Sequence, residues 1–73
     1  MLTVKCFARY RALLGFSDLQ VPVVPTLGDL LADPRFQSLP EDALLAVNLA
    51  FADRATPLVD GDEVALMPPV SGG

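Results

Sequence analysis

The chain has 73 residues, five Lys or Arg against nine Asp or Glu, and a formal net charge of −4. That length holds one domain with one core, and an acidic balance without a basic cluster excludes nucleic acid and anionic membrane surfaces as partners. Hydrophobic residues make up 52% of the chain, more than so small a domain hides, which implies a partner-covered surface.

In chain order, Leu2 to Ala8 alternates as a strand. Leu2, Val4, Cys6 and Ala8 take the core face, and Thr3, Lys5 and Phe7 take the other, where Phe7 is the apolar exception. Cys6 is expected to be a buried, inert thiol. Tyr10, Leu13 and Leu14 have the spacing of one short helix, stopped by Gly15, with Arg9 and Arg11 solvated beside it. Leu19, Val21 and Val23 alternate as a second strand, and Pro22 places it at a sheet edge. Thr26 opens the next helix, with Asp29 three residues on as an approximate capping box. Leu27, Leu30 and Leu31 form its buried stripe, and Pro34 closes it.

Residues 35–42 read as a loop with one short turn. Leu44 to Leu49 is an apolar run fit for a well-covered strand, and Phe51-Ala52 begins a short return strand. Asp60-Gly61-Asp62 is a turn with a solvated acidic rim, and Glu63 to Met67 is the last strand. This order predicts an α+β fold with a mixed sheet, one main helix and the first and last strands paired side by side, as in a β-grasp. Phe7 and Met67 then share the face opposite the helix and form a candidate docking patch. Residues 1–67 are the expected domain and 68–73 an extended, flexible tail.

That tail reads Pro68-Pro69-Val70-Ser71-Gly72-Gly73. The prolines remove two N–H donors, so the arriving strand stops and continues as a stiff extended segment. Six residues at ~3.3–3.6 Å each reach roughly 20 Å, enough to thread a neighbouring protein's active site. Glycine passes a narrow channel and leaves the carboxylate of Gly73 unhindered.

The domain itself offers no active site. There is no histidine, and one cysteine allows neither an internal disulfide nor a zinc cluster. The glycines do not form a phosphate cradle, and Asp60, Asp62 and Glu63 do not have calcium-loop spacing. A lone cysteine suits a reducing compartment, no apolar run is long enough to span a bilayer, and Met1 to Lys5 lacks a signal peptide's layout. These point to the cytoplasm.

Phe7-Ala8 with Arg11 and Leu14-Gly15, Ala46-Val47-Asn48, Pro57-Leu58 with Asp60-Gly61-Asp62-Glu63-Val64-Ala65, and the tail Pro68 to Gly73 together resemble the small, sulfur-carrying subunit of molybdopterin synthase. The resemblance spans essentially the whole chain and implies a ubiquitin-like β-grasp. It implies that an activating enzyme uses ATP to adenylate the Gly73 carboxylate, that a sulfur donor converts it to a thiocarboxylate, and that no cofactor is permanently bound. The tail, with Pro68, Pro69, Val70, Ser71 and Gly72 as its contacts, would enter the large subunit and give sulfur to cyclic pyranopterin. Phe7 and Met67 would dock on that subunit, Met67 standing where the family often has an aromatic residue. A carrier for thiazole synthesis shares the fold and Gly-Gly but usually lacks Pro-Pro-Val-Ser. A ubiquitin-like modifier and an inert β-grasp interaction module are the remaining alternatives.

Overall fold

The computed structural model describes residues 1–69. Its elements are β1 (Leu2–Cys6), α1 (Tyr10–Leu14), β2 (Asp18–Val21), α2 (Leu27–Leu31), a 3-10 turn (Pro34–Phe36), β3 (Leu44–Val47), β4 (Ala50–Phe51) and β5 (Glu63–Met67). The five strands form one sheet in the order β2-β1-β5-β3-β4. β1 and β5 run parallel in the centre, with Val4 opposite Val64 and Cys6 opposite Leu66; the remaining pairs are antiparallel. A central parallel pair flanked by two hairpins, with a helix across one face, is the ubiquitin-like β-grasp.

Period-two alternation decides which side is covered. Leu2, Val4, Cys6, Val64, Leu66 and Leu45 point inward with Tyr10, Leu27 and Leu30. Phe36 and Leu39 join that core, although residues 35–42 read as a loop in the sequence. Pro34 does not simply end α2: it opens the 3-10 turn, whose first N–H bonds the Asp33 carboxylate. Proline suits that position because its missing donor would have been unpaired there anyway.

α2 has five residues, too few to hold itself, and its exposed donors are met from outside. Thr26 Oγ1 accepts from Asp29 N at 3.1 Å, while the Leu27 and Gly28 N–H groups donate to the Thr56 and Arg54 carbonyls at 2.9 and 2.8 Å. A Cβ on Gly28 would sit 3.0 Å from the Arg54 carbonyl oxygen, so this close approach favours glycine.

Four element boundaries differ from the sequence expectation, one of them the return strand, which runs Ala50–Phe51 instead of starting at Phe51. β1 ends at Cys6, and Ala8 takes a left-handed φ of 53° that turns the chain into α1. β2 ends at Val21, leaving Pro22 just outside an edge strand. The run expected as one strand to Leu49 stops at Val47, because Asn48 and Leu49 (φ 49° and 70°) form a two-residue hairpin loop into β4. Both residues in that loop must adopt positive φ, which costs an ordinary L-residue about 1–2 kcal/mol.

Candidate functional site

The outer face of the sheet divides by chemistry. Across one row, Asp18, Lys5, Ala65, Ala46 and Phe51 lie opposite one another in register. At the β1–β2 side Lys5 Nζ stands 3.9 Å from Asp18 and 3.7 Å from Glu63, a polar surface that water covers readily. Toward β3 and β4 the row turns apolar, and the next one adds Leu44 opposite Met67. Alanine at 46 and 65 leaves the middle low while larger side chains rise around it. The result is a hollow of about 250 Å³ lined by Phe7, Ala46, Leu49, Phe51, Glu63, Ala65 and Met67.

Phe7 is held at this rim by its backbone. Its N–H donates to the Leu66 carbonyl at 3.1 Å, and its own carbonyl accepts from Tyr10 N at 3.1 Å. Phe7 is 43% exposed, a substantial apolar area left in water by a well-fixed residue. Met67 is the last residue of β5 and lies half-buried beside it. The chain then leaves the sheet through Pro68 and Pro69, which carry no regular structure. Val70, Ser71, Gly72 and Gly73 lie outside the described residues.

Phe7 and Met67 thus meet in one hollow on the outer face. Leu49 and Phe51, which the sequence reading did not single out, share it and are 93% and 79% exposed. The available signal was Asn48: taken as a turn residue, it shortens the apolar run and puts Phe51 across from Ala46.

Asn48 and Asp62 fix the position of that loop. The Asn48 side-chain amide donates to Asp62 Oδ1 at 2.8 Å, and its carbonyl oxygen accepts from Glu63 N at 2.9 Å. Val59 N donates to Asp62 Oδ2 at 2.9 Å, and Asn48 N donates to the Glu63 carbonyl at 2.8 Å. Asp62 is therefore buried with both oxygens satisfied, not part of a solvated acidic rim. Asp60 does face solvent, paired with the N-terminal amine. No group of three or more metal-ligating side chains occurs among the described residues.

The Val59 N–H first, and then the Asn48 amide, hold the Asp62 carboxyl below its ordinary 3.8. A carboxylate that titrates lower folded than unfolded stabilises the fold at neutral pH and loses that contribution as pH falls through the folded value. The melting temperature should therefore decline below about pH 4. Asp62→Asn should melt lower than the parent at neutral pH and show a shallower acid limb, measured by circular dichroism across pH. Asp33, lowered by its bonds with Arg35, has the same sign and remains in the variant. Burial first, then Asp18, pushes the Cys6 thiol up, which keeps it neutral and unreactive. Among the described residues no helix is long and apolar enough to cross a membrane.

The ThiS family model matches residues 4–73. The chain belongs to that family. It is 40% identical over 81 residues to the molybdopterin synthase sulfur carrier subunit of Escherichia coli strain K12, covering 100% of both proteins. Among solved structures it is similar to a chain in the complex of subunits 1 and 2 of molybdopterin-converting factor from Helicobacter pylori. That match has a TM-score of 0.72 and 26% identity, covering 99% of this chain and 97% of the other. The small archaeal modifier protein 1 of Haloferax volcanii superposes with a TM-score of 0.81 at 25% identity, covering 94% and 97% respectively.

Proposed function

We propose that this chain is the sulfur carrier subunit of a molybdopterin synthase. The observation that carries the reading is the placement of an apolar hollow at the end of β5, next to where Pro68-Pro69-Val70-Ser71-Gly72-Gly73 begins. A partner seated on the hollow receives whatever the tail delivers. The full-length likeness to a sulfur carrier subunit and the solved complex of a relative support the same assignment.

The chemistry follows from the terminal carboxylate. Alone it resists attack, because an oxide is a poor leaving group. In the activating enzyme a Gly73 oxygen attacks the α-phosphorus of ATP and displaces pyrophosphate. Sulfide then attacks the acyl carbon, expels AMP and loses its proton, leaving a thiocarboxylate. This soft, easily ionised nucleophile attacks an oxygen-bearing carbon of cyclic pyranopterin inside the large subunit. The carbon–oxygen bond breaks as the carbon–sulfur bond is made, the oxygen leaving as water or phosphate. Water then cleaves the acyl–sulfur bond to return the carboxylate. Two such transfers make the dithiolene. The partner supplies positioning and charge stabilisation, and this chain supplies the reacting sulfur atom; it keeps no cofactor of its own.

The test is reconstitution with the large subunit, the activating enzyme, ATP, sulfide and cyclic pyranopterin. Dithiolene should form in proportion to this chain supplied, and equal product without the chain would contradict the assignment. The likeness to an archaeal modifier protein favours a second reading, in which a target lysine attacks the same acyl adenylate. That reading requires amide-linked conjugates that survive thiol treatment, whereas the carrier reading does not.

A further inference from the structure

The loop between β3 and β4 contains a choice that folding alone does not account for. Both of its residues have positive φ, 49° at Asn48 and 70° at Leu49. Loops of this kind favour asparagine followed by glycine, since only glycine takes the second position without steric cost. Here that position holds a leucine, a bulky side chain in a region such residues avoid. Leu49 recovers little within the chain, being 93% exposed. The residue before it is nevertheless pinned: Asn48 is tied to Asp62 and Glu63 through side chain and main chain. A fixed, costly conformation that holds an apolar group out in water marks a functional position.

Its place in the sheet says what that function is. Leu49 lines the hollow that also holds Phe7 and Met67, standing at the β4 side while Phe7 stands at the β1 side. Resting on the function proposed above, we infer that Leu49 is a further anchor for the large subunit, held out by the Asn48–Asp62 clamp at the expense of the fold's own stability. The large subunit is the occupant because the hollow adjoins Met67, after which six residues, the last four outside the described structure, run to Gly73. With at most roughly 20 Å of chain between Met67 and Gly73, a protein that accepts Gly73 sits within reach of this rim. A second copy fits less well, since each copy carries a net charge of −4 and the two would repel.

The experiment compares the full chain with its Leu49→Asn, Leu49→Gly and Leu49→Met variants. Each is titrated against the large subunit by calorimetry and melted alone. Asparagine accepts a left-handed conformation but offers no apolar surface. Leu49→Asn should therefore melt higher by about 4–8 °C and bind about tenfold more weakly. Leu49→Gly should shift both in the same directions, and Leu49→Met should bind within about threefold of the parent. Unchanged affinity in Leu49→Asn and Leu49→Gly would overturn the anchor while leaving the carrier function standing. A folded parent chain that fails to bind the large subunit would overturn the function itself and this inference with it. Self-association of the parent that Leu49→Asn abolishes, with large-subunit affinity intact, would give the hollow to a second copy and overturn the inference as well.

Discussion

Replacing Phe7 and Met67 together by alanine is expected to weaken binding to the large subunit by about a hundredfold or more. Both side chains line one hollow, and a partner that fills it excludes water from both at once. Apolar area removed from water contributes about 25 cal/mol per Å², and a ring as open as that of Phe7 has much to lose on truncation. The two effects should not add, because the residues share one partner surface. The single variants should each fall short of the double by less than independence predicts. Stability should hardly change, since neither residue belongs to the buried core. Titration with circular dichroism alongside separates the two properties, and a double variant that binds like the parent would remove the hollow from the interface.

Leu66→Ala should act the opposite way, on the fold rather than on the surface. Leu66 is 0% exposed in β5, with Cys6 opposite on one side and Leu45 on the other. Removing most of such a side chain leaves a cavity in a sheet that cannot close around it, at a cost of about 2–5 kcal/mol. Domains of this size have only roughly 4–11 kcal/mol in total. The melting temperature should fall by at least about 10 °C, and a change of a few degrees or less would mean that the centre of the sheet repacks freely. The neighbouring residues Ala65 and Met67 point the other way, so one strand separates the two properties by parity.

That parity is why much of the architecture was legible in the sequence. Leu2-Thr-Val-Lys-Cys and Glu63-Val-Ala-Leu-Met alternate without interruption, and strand faces follow from alternation alone. Thr26 with Asp29 marked the start of α2 by side-chain chemistry that acts locally. Phe7 and Met67 were found because each was the large apolar residue out of phase with its solvated face. What stayed hidden depended on contacts distant in sequence. The hairpin at Asn48 and Leu49 was concealed by a leucine where glycine would have signalled the turn. Leu49 consequently remained inside an apparently covered apolar run, and Phe51, read as opening a short return strand, was not placed across from Ala46. Asp62 reads as a surface turn residue because its amide partner, Asn48, lies 14 residues away. Phe36 and Leu39 sit among charged and turn-forming neighbours, and only the packed structure shows them joining the core.

The most direct test of the central claim is the intact mass of this chain after incubation with ATP, the activating enzyme and a sulfide source. One terminal oxygen should be exchanged for one sulfur. A chain extended by a single alanine after Gly73 should dock on the large subunit normally yet show no exchange. An unchanged mass for the parent, under conditions where the activating enzyme demonstrably loads another carrier, would contradict the thiocarboxylate mechanism and leave a β-grasp docking module.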